Sequence, residues 1–243
     1  MVDILVVDSN PAALNAQIQA AGSLPLGQGY RKAVLTCDAG ADVAICAPYD
    51  GQALPQLSRF DGVIFSGSNV EWVASDPRAA VLAQALRDVF AAGLPVFGSC
   101  NGMQLAAHVL GGACGPSPNG REDGLAEAIT VAAPAHPMMA GRTTPFRATC
   151  VHRDEVTRLP TGATRLAGNA HTAVQAFAYE ANGQRFWGTQ YHPEYTLGDV
   201  CAVLSAGAGW DADQCAALGH FAADPDLADG ARLTELRNWL TSL

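Results

Sequence analysis

The chain has 243 residues, 49% hydrophobic and only 15% charged, which excludes extended disorder and is long enough to bury one sizeable core. Its formal net charge is −9, with 14 Lys and Arg in all and no basic cluster, so a surface built to neutralise nucleic-acid phosphates is excluded. Seven cysteines, an odd number without a Cys-x-x-Cys pair, exclude a disulfide framework and the usual zinc site, and reduced thiols in the cytoplasm are expected.

Residues 4–8 read as a short strand of the buried type, without the basic region and small-residue cleavage site of a signal peptide. Asp8-Ser9-Asn10-Pro11 then supplies a polar cap and a proline for a helix over 13–21. Residues 24–32, with their Gly and Pro, read as loop. Strands follow over 42–47 and 60–66, the second running straight into Gly67. A helix over 77–92 carries Ala80, Leu82, Leu86 and Phe90 along one side and closes at Gly93. A strand over 94–98 and a short helix over 101–110 complete the first half.

This alternation predicts an α/β fold, an open and mostly parallel sheet flanked by helices. Sites in such sheets gather at the carboxyl ends of strands, where Gly67 and Cys100 both fall. The second half is richer in strands, over 126–131, 146–151, 164–168, 173–179 and 186–190. From Leu197 helical patterns return, ending with Leu233, Leu236, Leu240 and Trp239 at helical spacing. The expected organisation is one domain over 1–196 with a helical extension over 197–243 packed on it. No apolar run approaches the ~18 residues of a membrane span, so no membrane partner is expected.

Two motifs carry chemistry. Gly98-Ser99-Cys100-Asn101-Gly102 joins an apolar strand to a helix, the nucleophile-elbow pattern with sulfur in place of oxygen. The glycines allow a tight turn, and the helix N-terminus favours a thiolate at Cys100. The backbone N–H of Asn101 can meet the oxyanion of a tetrahedral intermediate. The second motif, His192-Pro193-Glu194, follows another strand. A cysteine nucleophile needs a base to take its proton and return one to the leaving group, and the base needs a partner to orient its ring. A lone elbow is also an ordinary strand-to-helix turn, and a lone His-Pro-Glu an ordinary turn; together they read as Cys100, His192 and Glu194 of a catalytic triad.

With these residues in order, the sequence resembles the class I (triad) glutamine amidotransferases, the group that contains the glutaminase parts of GMP synthase and anthranilate synthase. Val63-Ile64-Phe65-Ser66-Gly67 resembles the family's strand and Ser-Gly turn, which implies a second oxyanion donor at the Gly67 backbone. Gln104 matches the family glutamine that holds the substrate. The segment 152–160, from His152 to Pro160, resembles the GMP-synthase-like His-x-Asp-x-Val…Leu-Pro stretch, which implies that Val151 and His152 meet the substrate largely through main-chain groups. The likeness runs over about four-fifths of the chain, from Ile4 to Tyr195. It implies hydrolysis of the side-chain amide of glutamine through a γ-glutamyl thioester on Cys100, with His192 as acid/base and Glu194 as its orienting carboxylate. No cofactor or metal is implied.

The sequence departs from the family pattern at three places. Ser68-Asn69-Val70-Glu71 stands where a second Gly and a Pro are usual, Val151 where a serine is common, and Asn101 where apolar residues are frequent. No Gly-x-x-x-x-Gly-Lys phosphate loop is present, and the stretch after Tyr195 is short for a synthetase. The expected partner is therefore a separate synthetase subunit that receives the ammonia. The alternatives are a stand-alone hydrolase of another γ-glutamyl amide, a non-catalytic binding module on the same fold, and a cysteine peptidase, which would not account for Gln104 and 152–160. His108, His171 and His220 lack metal-ligand spacing and read as structural, 136–141 as a peripheral helical turn, and Asp211 and Asp213 as a solvated pair.

Overall fold

The computed structural model describes residues 2–243. In chain order its strands and helices are β1 (Asp3–Val7), α1 (Ala12–Ala20), α2 (Leu26–Cys37), β2 (Asp42–Cys46), β3 (Gly62–Phe65), α3 (Ala80–Ala91), β4 (Val96–Ser99) and α4 (Asn101–Val109). Then come β5 (Ala113–Pro116), β6 (Glu122–Val131), β7 (Phe146–His152), β8 (Asp154–Arg158), β9 (Thr164–Gly168), β10 (Ala176–Ala181) and β11 (Gln184–Thr189). Four helices close the chain, α5 (Leu197–Gly207), α6 (Ala212–Gly219), α7 (Asp229–Arg232) and α8 (Thr234–Thr241).

One sheet runs β2-β1-β3-β4-β11-β10-β9-β6-β7, and β5 pairs with β8 in a separate antiparallel ribbon. The five strands from β2 to β11 are mutually parallel, and the remainder antiparallel. The parallel strands are apolar on both faces because helices cover both. On one face α2 and α8 bring Tyr30, Val34, Leu236 and Trp239 against Ile4, Val6 and Ile64. On the other, α3 and α4 bring Leu82, Leu86, Phe90 and Met103 against Leu5, Val63 and Phe65.

Topology positions the site. β3, β4 and β11 are adjacent and parallel, with Phe65 level with Gly98 and Ser99 level with Thr189. The three loops that leave their carboxyl ends carry Gly67, Cys100 and His192. A fourth segment arrives by a bend. β6 breaks register between Ala126 and Ile129, where Ala128 has φ 50°, so its first part pairs with β7 and its last two residues with β9. Such a bulge bends a strand; β7 thereby meets the turn after β11, where the His192 N–H donates to Thr149 O at 2.8 Å.

Four local expectations need correction. Residues 26–37 are the helix α2 and not a continuous loop from 24 to 32. Gly27 is there for close approach and not for a break, since a Cβ would stand 2.8 Å from Ile45 Cγ2 and 3.0 Å from Asp8 Oδ2. β5 and β8 are strands where none was expected, a short ribbon whose residues show no alternation of buried and exposed positions. The terminal stretch is two helices broken at Leu233 rather than one. After Tyr195, α5 packs on α1, β6 and β7 through Val200, Val203 and Leu204.

Candidate active site

Cys100 sits at the turn from β4 into α4 with φ 48° and ψ −108°, a region that side chains avoid. Such strain costs about 1–3 kcal/mol and persists only where the surroundings over-determine it. Here the Cys100 N–H donates to Thr189 O at 2.8 Å and its carbonyl accepts from the Gln104 N–H at 3.0 Å. Both flanking glycines are required by close approach. A Cβ on Gly102 would stand 2.3 Å from Phe65 O, and one on Gly98 would stand 2.8 Å from the Gly102 carbonyl carbon. The result is a thiol 5% exposed on the wall of a cavity, with Sγ 3.6 Å from Val151 O.

His192 and Glu194 lie on the turn after β11. His192 Nδ1 is 2.8 Å from Glu194 Oε1, and Nε2 has no partner at hydrogen-bond distance among the described residues. The turn is pinned from three sides. Thr149 Oγ1 donates to His192 O at 2.8 Å, the Arg232 guanidinium donates to Pro193 O, and the His192 ring stacks on Tyr195. Burial disfavours a charged ring, but the Glu194 carboxylate and contact with Cys100 outweigh it and raise the His192 pKa to about 10. His192 therefore holds its proton at neutral pH. Tyr30 lies wholly buried near Glu194, and burial together with that charge keeps its phenol pKa well above the ordinary value.

Gly67 closes the arrangement. A Cβ on it would stand 2.7 Å from His192 Cε1 and 3.6 Å from Cys100 Cβ, so the loop, the ring and the thiol share one small volume. The N–H of Gly67 has no protein acceptor among the described residues, and that of Asn101, in the first turn of α4, has none either. The loop that departs from the family pattern is held by other means. Asn10 Oδ1 accepts from the Asn69 N–H at 2.8 Å and from Ser68 Oγ at 3.0 Å, and Ser68 Oγ also reaches Ser9 O at 2.7 Å.

Gln104, Val151 and His152 border the same cavity, but their side chains differ in what they offer. Gln104 Nε2 is committed to Asp154 O at 2.7 Å and Gln190 Oε1 at 3.2 Å. The His152 ring is buried, with Nδ1 3.1 Å from Asp154 O and Nε2 2.9 Å from Glu122 Oε2. Val151 presents its carbonyl. The cavity also meets Arg121 and Arg153, each paired to a neighbouring aspartate, and Glu71, which makes no salt bridge among the described residues. The cavity is about 160 Å³, and the rest of its lining comes from residues 68–72, Tyr195, and Val203, Leu204 and Gly207 of α5.

Three features escaped the sequence analysis. Glu122 is the hub of a buried network, accepting from Asn169 Nδ2 at 2.7 Å and Gln175 Nε2 at 2.7 Å besides meeting His152. Burial alone would raise its pKa, but these hydrogen bonds lower it. Nothing in the local sequence marks it, since its partners are 30 to 53 residues away. Tyr195 and Asn10 were legible only as neighbours of motifs. Among the described residues no group of three or more His, Cys, Asp or Glu could hold a metal ion, and no helix is long and apolar enough to cross a membrane.

The family model for glutamine amidotransferase class-I matches residues 33–204. A gamma-glutamyl-L-1-hydroxyisopropylamide hydrolase from Pseudomonas sp. is 31% identical over 208 residues, 83% of this chain and 70% of that protein. A glutamine-hydrolyzing GMP synthase from Xanthomonas axonopodis pv. citri is 40% identical over 140 residues, and the match covers 56% of this chain but only 25% of that enzyme. In fold, the chain is similar to a glutamine amidotransferase from Thermotoga maritima, with TM-score 0.76 and 19% identity over 99% of this chain and 97% of the other. It is also similar to a glutamine amidotransferase from Methylobacillus flagellatus, with TM-score 0.67 and 21% identity over 100% and 95% of the two chains.

Proposed function

Since the chain belongs to the glutamine amidotransferase class-I family, we propose that it hydrolyses the side-chain amide of glutamine or of another γ-glutamyl amide, with Cys100, His192 and Glu194 as its triad. The observation that carries this is the strained Cys100 beside a His192 that keeps its proton, with Glu194 on the far ring nitrogen at 2.8 Å. Cys100, its proton passed to His192, attacks the γ-carbonyl carbon as the thiolate; the C=O π pair moves onto oxygen, and the N–H groups of Gly67 and Asn101 stabilise that oxyanion. The C–N bond breaks as His192 gives its proton to the departing nitrogen, leaving a γ-glutamyl thioester. Water, deprotonated by His192, then attacks the thioester; the S–C bond breaks and glutamate leaves. Glu194 holds the ring and stabilises its cation throughout. No step needs a cofactor.

In this reading Gln104 and the main chain at Val151 and His152 hold the glutamyl part, and the His152 ring acts from behind by fixing that strand on Glu122. Residues 1–196 carry the chemistry, and 197–243 form an extension that shapes the cavity. A second reading, transfer of ammonia to a partner synthetase, is favoured by the likeness to GMP synthases, of which the chain spans about a quarter. The test is release of glutamate, with ammonia or amine, from L-glutamine and from γ-glutamyl amides by the purified chain, with Cys100→Ala as control. Turnover that needs Cys100 supports the proposal. A folded protein that cleaves none, alone or with a synthetase present, overturns it.

A further inference from the structure

Tyr30 and Ser99 are wholly buried, and neither borders the cavity beside Cys100. Tyr30 Oη, Ser99 Oγ and Glu194 Oε2 are all closed off from solvent, and none completes a hydrogen bond to another described residue. The proposed chemistry uses Glu194 Oε1 and leaves these three atoms without a role. Buried polar atoms are costly without partners, so three of them around one carboxylate need a reason.

The three lie together. Tyr30 follows Gly29 on α2, and a Cβ on Gly29 would stand 3.9 Å from Glu194 Cγ, so this turn of the helix rests on the carboxylate side chain. The Tyr30 ring belongs to the apolar cluster that includes Phe97, Tyr191 and Trp239, which leaves the hydroxyl as its polar end. Ser99 is the residue before Cys100 and carries the only polar side chain of β4. Burial raises the pKa of the Tyr30 phenol, and the Glu194 charge raises it further, so the phenol keeps a proton to give. Toward that phenol Ser99 acts as a donor and Glu194 as an acceptor.

We propose that Tyr30 and Ser99 are positioning residues for the triad carboxylate, with Ser99 Oγ donating to Tyr30 Oη and Tyr30 Oη donating to Glu194 Oε2. Glu194 is then held at both oxygens, at Oε1 by His192 Nδ1 at 2.8 Å and at Oε2 by the phenol. The terminal torsion of a glutamate is broad, and a second hydrogen bond fixes the carboxylate plane and with it the aim of the imidazole. The inference rests on the proposed triad and extends it inward to α2 and β4. Neither residue reaches the cavity, so both act through Glu194.

The experiment is a double-variant cycle of Tyr30→Phe with Glu194→Gln. It is read in kcat and KM on the γ-glutamyl amide turned over fastest. It is also read, without need of turnover, in the rate of Cys100 alkylation by iodoacetamide, followed at that residue by peptide mass mapping. Tyr30→Phe removes one hydroxyl and keeps the ring, and kcat falls by about tenfold with KM within about twofold, the effect of one hydrogen bond to a charged group. In the Glu194→Gln background the same change costs less than about twofold, because the charge it acted on is gone. A packing defect lowers kcat by the same factor in both backgrounds. Ser99→Ala, which leaves Tyr30 in place, carries the same cycle if Tyr30→Phe folds poorly, with a loss of about threefold. No loss of kcat, or equal losses in both backgrounds, overturns the inference while Cys100-dependent turnover upholds the proposed function. If no γ-glutamyl amide is cleaved, the proposed function fails and the alkylation cycle decides the inference. Slowing that vanishes in Glu194→Gln then upholds it, and equal slowing or none overturns it.

Discussion

The ring of His192 lies flat on that of Tyr195, with centroids 4.4 Å apart and planes 14° apart. With Nδ1 held by Glu194 at 2.8 Å, the stack leaves the imidazole one orientation, Nε2 toward the cavity. A general acid owes its rate to such fixed geometry as much as to its pKa.

Cys100→Ala and His192→Ala should each lower kcat/KM by about 10³-fold or more, and the double variant should be scarcely worse, because triad members act as a unit. Steady-state assays on whichever γ-glutamyl amide is turned over fastest check this. Nearly independent losses in the two single variants would sink the triad assignment.

The raised pKa of His192 makes a signed statement about pH. Burial opposes the charged ring and the Glu194 carboxylate supports it, with the value at about 10 against an ordinary 6.5. The resulting stabilisation is present in full below pH 6.5 and is lost as pH rises toward 10. In Glu194→Gln the burial penalty stands without its main counterweight, and the His192 pKa falls. The thermal midpoint of this variant should lie furthest below the wild type at and below pH 6.5, with the gap closing toward pH 10. A gap independent of pH would contradict the coupling.

Gly102→Ala should destabilise the fold by about 1–3 kcal/mol, because its methyl would meet Phe65 O at 2.3 Å with main chain on both sides. Urea unfolding measures the loss. Gly115→Ala, where no atom lies within 4 Å of the added methyl, is the control and should cost far less.

Asn10→Ala removes the acceptor that holds the Asn69 N–H and Ser68 Oγ, two and one residues from Gly67. kcat should fall by about tenfold as the oxyanion donor loses its place, with a smaller change in KM. Loss of KM alone would reassign Asn10 to ground-state binding.

Arg142 and Glu235 form an ion pair with both side chains buried, at 2.7 and 2.5 Å. Breaking it from one side by Glu235→Leu should cost about 3–5 kcal/mol, since a buried cation is left unpaired. Replacing both by apolar residues should recover much of that in chemical denaturation.

The parallel half of the fold was legible because its strands are continuous apolar runs and its helices carry one-sided stripes, as in β3 and α3. Cys100, His192 and Glu194, the triad proposed above, could be singled out because each sits in a tight motif at a strand end. What escaped is long-range. Glu122 gains its meaning from His152, Asn169 and Gln175, which the bend at Ala128 brings within reach. α2 escaped because Gly27 looks like a breaker until Ile45 is seen against it. The α5 wall escaped because Val203 and Leu204 are, by sequence, ordinary apolar helix residues.

The contact between Arg232 and the Pro193 carbonyl joins α7 to the turn that carries His192. During synthesis, Cys100 and its elbow are made first, the histidine turn follows far along the chain, and the guanidinium that braces that turn emerges last of the three. The nascent chain thus carries its thiol before the brace on its acid exists. A chain halted short of α7 would carry Cys100, His192 and Glu194 without the guanidinium that fastens the histidine turn.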